Sequence, residues 1–146
     1  MITFHAPQLA DKPWVDELLA RLRVALRRVR YDSQKVSEEA SLFAWSRAYG
    51  QEIARVDDFL VTRVCGRMGC SYMYPAGSGD LRAVVLALEE DAAGRDSPLR
   101  LVCLTGGQVE ELEAAFPGEF EFAADRDGYD YLYEVDRLAD LTGKKL

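Results

Sequence analysis

The segment from residue 51 to residue 104 constrains the fold most. Residues 51–57 and 59–65 read as two strands joined at Asp57-Asp58, and residues 70–74 as a third strand beyond the turn Gly66-Arg67-Met68-Gly69. A loop containing Gly77 and Gly79 follows. Leu81, Val84, Val85 and Leu88 then recur at helical spacing, and the near-continuous apolar run 99–104 reads as a buried strand. Tight turns force antiparallel neighbours, whereas a strand–helix–strand crossover favours a parallel pair. One stretch of chain that demands both implies a mixed sheet with helices packed on it.

The flanking segments supply the helices. Val15, Leu18, Leu19, Leu22, Leu26 and Val29 mark an amphipathic helix, with Asp11 placed to cap it and Pro13 in its first turn. Arg27, Arg28 and Arg30 suit that helix's C-terminus. Ser37, Glu38 and Glu39 open a second helix carrying Leu42, Phe43, Trp45 and Tyr49, and Gly50 ends it. Trp14, Phe43, Trp45 and Tyr49 are expected in the core. Ile2 to His5 is a weak strand. Thr105-Gly106-Gly107 leads into a helix with Val109, Leu112 and Phe116, stopped at Pro117-Gly118. Phe120 and Phe122 alternate with glutamates, and Tyr129, Tyr131, Tyr133 and Val135 alternate with their neighbours, so two further strands are expected, with a last short helix from Asp136. The reading is α+β: one domain over residues 1–146, with a mixed, twisted sheet flanked by helices.

Composition narrows the function classes. The 146 residues carry a net charge of −7, and residues 108–136 concentrate it, with one basic and ten acidic side chains. A sequence pI near 4.8 argues against a general nucleic-acid binder, which needs a basic surface. No apolar run approaches the roughly 18 residues of a membrane span, and no secretory leader pattern is visible, so a cytoplasmic protein without membrane insertion is expected. Cys65, Cys70, Cys103 and the single His5 offer no paired metal-ligand spacing. Cys65 and Cys70 can face each other across their turn, but free thiols are the state expected in a reducing compartment.

The order of elements resembles the GCN5-related N-acetyltransferases (GNAT fold). In that fold a glycine-rich loop between the fourth strand and the third helix holds the pyrophosphate of acyl-CoA. The matching place here is residues 74–79, where Gly77 and Gly79 fit the pattern and Tyr74 departs from its leading Arg or Gln. The stretches 37–63, 74–92 and 116–146 are more closely similar to a bacterial domain-of-unknown-function family, number 2156, related to the C-terminal, aminoacyl-transferring part of phosphatidylglycerol lysyltransferases. The run Tyr129-Asp130-Tyr131-Leu132-Tyr133 ahead of Gly143-Lys144-Lys145 is the most specific motif. Members carry two acetyltransferase-like domains in tandem. The resemblance therefore implies the N-terminal half of an acyl- or aminoacyl-transferase, inactive or nearly so alone, whose partner is a C-terminal GNAT-like domain of the same protein.

Candidate site residues follow. Gly77, Ser78 and Gly79 can direct backbone N–H groups at a helix N-terminus, which favours an anion, and acyl-CoA is the cofactor this would serve. Asp80 opposes that use by placing a carboxylate in the same turn. Acyl transfer needs a base for the nucleophile's proton and an acid for the leaving group. Tyr131 and Tyr74 are the candidate acids, with Tyr72 beside them, and Asp130 is a candidate base, with Glu134 an alternative. Core packing of these tyrosines is the competing reading. A non-catalytic interaction or homodimerisation module also remains open. No tRNA binding is expected of this half, because its acidic segment repels a polyanion.

Overall fold

The computed structural model describes residues 1–28, 38–67 and 69–124. A 3-10 turn, Leu9–Asp11, leads directly into α1, Lys12–Arg28. The first helical turn thus begins earlier than expected, and Asp11 sits inside it rather than as a cap. Its carboxylate accepts the backbone N–H of Gln8 at 2.8 Å, the indole N–H of Trp14 at 3.1 Å and the imidazole Nε2 of His5 at 3.0 Å. Burial alone would raise the Asp11 pKa, but these donors and the histidine's charge outweigh it and hold it below the ordinary range.

The second helix, α2, spans Glu38–Tyr49, and Gly50 at φ +60° turns the chain out of it. Then come β1 (Gln51–Val56), β2 (Phe59–Gly66) and β3 (Gly69–Met73) as consecutive antiparallel hairpins. Val56 pairs with Phe59, so Asp57-Asp58 is a two-residue turn, with Asp57 at φ +51°. Aspartate tolerates that left-handed conformation better than most residues. A two-residue strand β4 (Ala76–Gly77), helix α3 (Leu81–Ala93), strand β5 (Leu101–Val102) and helix α4 (Gly106–Ala115) complete the described elements. The sheet order is β1-β2-β3-β5, with β4 paired to β2 and β3 parallel to β5. His5 makes a single antiparallel bridge to Ile53, which is all that forms of the weak first strand.

The sheet is covered on both faces. Strand alternation sends Ala54, Phe59, Val61, Cys70 and Tyr72 toward Val84, Val85, Leu88 and Ala92 of α3 and Leu112 of α4. It sends Ile53 and Leu60 toward Val15, Leu18 and Leu19 of α1 and Leu42 of α2. Burial of each such aliphatic side chain contributes about 1.5–3 kcal/mol.

Four expectations are corrected. The run 99–104 forms only a two-residue strand, half-buried rather than central, because Cys103 takes φ +59° and breaks the extended backbone. Phe120 and Phe122 make no strand; Phe120 instead packs edge-on against Phe116 with centroids 5.6 Å apart. Tyr49 is largely exposed, at 60%, rather than in the core. Cys65 and Cys70, directly opposite in the β2–β3 register with Cα atoms 4.0 Å apart, form a disulfide rather than free thiols. A cross-link closing so short a loop removes little unfolded-state entropy, so a Cys65→Ser/Cys70→Ser chain is expected to lose only about 2 kcal/mol in denaturant unfolding. The helix start at Ser37, the side chains of Trp45, Arg27 and Arg28, residue Arg30, the strand with Tyr129, Tyr131 and Tyr133, and the final helix lie outside what the structure describes.

Candidate functional site

The register of β2 locates the site. Arg63 of β2 faces Tyr72 of β3, while Leu60 faces Ala76 of β4. Two residues of β2, Val61 and Thr62, therefore lie opposite three, Met73, Tyr74 and Pro75. This is a one-residue β-bulge. Pro75, which has no N–H for a ladder bond, is suited to such a break. A bulge reverses the alternation of faces beyond it. Tyr72 points into the α3-side core, whereas Ala76 packs on the α1-side cluster.

Tyr74 stands at the reversal. Its hydroxyl donates to Glu111 Oε2 of α4 at 2.6 Å. Burial first, and then the hydrogen bond to Glu111 and the charge it carries, push the Tyr74 pKa far above that of an ordinary tyrosine. Tyr74 also lines a cavity on the α1 and α2 side, about 70 Å³ in volume, walled by Leu19, Leu42, Leu60, Met73 and Ala76, with Gln51 and Thr62 as the other polar residues among those described. Glu111 is held one turn into α4. That helix starts at Thr105, whose N–H donates to Gln108 Oε1 at 2.9 Å and so fixes its first turn.

The glycine loop is committed to packing. A Cβ on Gly77 would fall 2.1 Å from the Asp58 carbonyl oxygen and 2.8 Å from Phe59 Cα, so only glycine lets β4 lie against the β1–β2 turn. Gly79 takes φ +142°, and a Cβ there would meet the Phe59 ring at 3.2 Å. The Ser78 N–H reaches the Asp58 carbonyl at 3.4 Å. Asp80, not Ser78, caps α3, accepting the Ala83 N–H at 3.0 Å. The helix end offered to an anion thus already holds a carboxylate. Millimolar CoA is accordingly expected to leave the melting temperature unchanged in a thermal-shift assay, since only binding to the native state raises it. A concentration-dependent rise would show that the loop rearranges to take the ligand.

A second cluster buttresses β3 just before the bulge. Glu52, Arg63 and Tyr72 are cross-strand neighbours in one row over β1, β2 and β3, and all face α3. Arg63 is 3% exposed. Its Nε and Nη2 donate to Glu52 Oε2 at 3.0 and 2.6 Å, and its Nη1 donates to Asp91 Oδ2 of α3 at 2.7 Å. The Tyr72 hydroxyl donates to the same Asp91 oxygen at 2.6 Å. The guanidinium stacks on Phe4, 4.0 Å from the ring centroid. Burial alone would raise Asp91, yet the Tyr72 and Arg63 hydrogen bonds and the charges of Arg63 and Arg95 carry it below the ordinary carboxylate range. Burial and Asp91 together push Tyr72 up to about 12. The two most deeply buried charges of this cluster, Arg63 and Asp91, are therefore paired with each other.

Of the residues named from sequence, the structure brings Tyr74, Gly77, Ser78 and Gly79 together along one bulged segment. Tyr131 and Asp130 lie outside the described residues. Tyr72 joins the Arg63 cluster instead of the cavity. The sequence reading missed Glu111, Gln51, Arg63 and Asp91. For Arg63 a signal exists, since an arginine inside the apolar run Phe59–Gly66 must find partners if it is buried. Among the described residues no group of three or more His, Cys, Asp or Glu is arranged to hold a metal ion.

The family model described as phosphatidylglycerol lysyltransferase, C-terminal, matches residues 27–146. The chain belongs to that family. Of the described cavity residues, all but Leu19 lie in the stretch shared with the lysyltransferase C-terminal family, as does Glu111. A crystal structure of a conserved protein of unknown function from Bacteroides thetaiotaomicron is similar over 99% of this chain, with 32% identity and a TM-score of 0.76. The chain spans 46% of that protein's length. No curated protein gives a significant match. No helix among the described residues is long and apolar enough to cross a membrane.

Proposed function

We propose that this chain is one of two GNAT-like domains of an acyl- or aminoacyl-transferase, and that its Tyr74 cleft works only with the second domain in place. Membership of the lysyltransferase C-terminal family over residues 27–146 carries this reading. The 46% coverage of the Bacteroides relative, whose remaining length leaves room for a second domain, supports it. A strand followed by a glycine loop and a helix is also the arrangement the acetyltransferase resemblance implies. The partner is then the C-terminal domain of the same protein.

The geometry favours a relay over a simple acid for Tyr74. If Tyr74 lost its proton to a leaving group, a tyrosinate would face the Glu111 carboxylate across 2.6 Å, which like-charge repulsion disfavours. Passing a proton on to Glu111 avoids this. As the hydroxyl or amine of the acceptor attacks the acyl carbon, its proton moves to Tyr74 Oη while Tyr74 gives its own to Glu111. The new acyl bond forms, the donor ester C–O bond breaks, and the departing oxygen takes a proton from solvent. Glu111 ends protonated and returns its proton to solvent.

The test is transfer of a labelled aminoacyl group from aminoacyl-tRNA to phosphatidylglycerol by the two-domain protein. Tyr74→Phe and Glu111→Gln are each expected to lower the rate about 10²–10⁴-fold with little change in melting temperature. The chain of 146 residues alone is expected to show no turnover. Full activity in Tyr74→Phe, or turnover by the single domain at the two-domain rate, would sink the reading.

A further inference from the structure

We infer that the Tyr74 cavity holds an uncharged hydrogen-bond donor group on a short aliphatic chain, and that Gln51 is the residue that selects it. Two observations carry this. The first is an unmet acceptor. Gln51 opens β1 on the face shared with Ile53, and its side-chain Oε1 is buried without a hydrogen-bond partner while the residue lines the cavity. A buried carboxamide oxygen left unpaired is destabilising and uncommon in folded proteins, so its retention here has a use in the bound state. The second is the character of the walls. Leu19, Leu42, Leu60, Met73 and Ala76 supply apolar surface, and among the described residues no Asp, Glu, Lys or Arg side chain lines the cavity. An ammonium or carboxylate placed there would lose its hydration without a counter-charge, which costs far more than one neutral hydrogen bond returns. A hydroxyl or amide N–H meets the Gln51 oxygen without that loss, and its alkyl portion covers the leucines.

The volume sets the size. A cavity of about 70 Å³ takes a group of a few heavy atoms, not a whole cofactor. The occupant is thus the end of a substrate rather than its bulk. Its part in catalysis rests on the Tyr74 reading above, but its binding does not and is measured without turnover.

The experiment uses the 146-residue chain and three matched probes: butyramide, butylammonium and butyrate. Each is titrated to tens of millimolar while backbone amide chemical shifts are followed. Butyramide is expected to shift the signals of Gln51, Thr62, Met73 and Tyr74 and to bind about tenfold or more tightly than either charged probe. Gln51→Leu is expected to weaken butyramide binding about tenfold while leaving the melting temperature equal or higher, because it removes an unmet polar atom. Gln51→Asn, which keeps the amide but shortens its reach, is expected to fall between the two. Equal or tighter binding of butylammonium or butyrate would overturn the inference. So would shifts confined to another part of the chain, no response to any probe, or a lowered melting temperature in Gln51→Leu. Loss of transfer in Tyr74→Phe with none of these binding results would leave the relay standing and remove only the role of Gln51.

Discussion

Asp91→Asn is expected to lower the unfolding free energy by about 3–5 kcal/mol, the range for stripping one partner from a buried ion pair. The value should fall toward the lower end, because Glu52 still faces the Arg63 guanidinium. Asparagine keeps the shape but withdraws the charge that Arg63 meets at 2.7 Å and that accepts from Tyr72 at 2.6 Å. Equilibrium urea unfolding at neutral pH measures the loss. The pH dependence supplies a second readout. The folded-state pKa of Asp91 lies below the unfolded value of 3.8. Its contribution is therefore complete above that value and is lost as pH falls through the lower folded pKa. Tyr72 works in the opposite direction. Its folded pKa is raised from 10.0 to about 12, so its contribution is complete below pH 10 and is lost as pH climbs through about 12. Asp91→Asn should flatten both limbs in part, since the depressed Asp11 keeps some of the acid limb and the raised Tyr74 some of the alkaline one. A variant with wild-type stability and an unchanged pH profile would mean that the cluster does not hold the sheet to α3.

Among the described residues, Gly77→Ala is expected to be the most damaging glycine-to-alanine change. The added carbon meets backbone atoms at 2.1 and 2.8 Å, and a peptide group cannot swing aside as a side-chain tip can. The β4 segment must lift from β2, at a cost of about 3 kcal/mol or more, whether or not any ligand is present. The Phe59–Gly77 pairing would go with it, and faster amide exchange across residues 76–79 should report that loss. By contrast, an alanine at Gly107, where nothing lies within 4 Å of the new atom, should be tolerated. If Gly77→Ala folds with full stability and instead abolishes affinity for a phosphate-bearing ligand, the loop serves binding before packing.

Most of the scaffold was legible because it is written in local periodicity. The helical spacing of Leu81, Val84, Val85 and Leu88 placed α3, and the turns at Asp57-Asp58 and Gly66–Gly69 placed three strands. The parallel pairing of β3 with β5 followed from the crossover between them. The failures are those that period alone cannot resolve. An apolar run at 99–104 looks the same whether it is central or stops after two residues, and the stop depends on the backbone of Cys103. The bulge is invisible for a related reason, since it exists only as a mismatch between two pairings of β2. Tyr74 was found as a residue type in a suggestive loop, but its partner Glu111 lies 37 positions away in the acidic segment and looked like one more solvated charge. The pairing of Cys65 with Cys70 was anticipated as geometry and then set aside on an assumption about compartment.

The bulge makes the strand a counter of residues. Insertions and deletions in surface connections are usually forgiven, but if Met73, Tyr74 and Pro75 paired with β2 without the bulge, Ala76 would slip from Leu60 to Phe59 and everything downstream would turn over. Ala76 would then face α3 and Gly77 the α1 side, inverting the segment that now fits against Asp58 and Phe59.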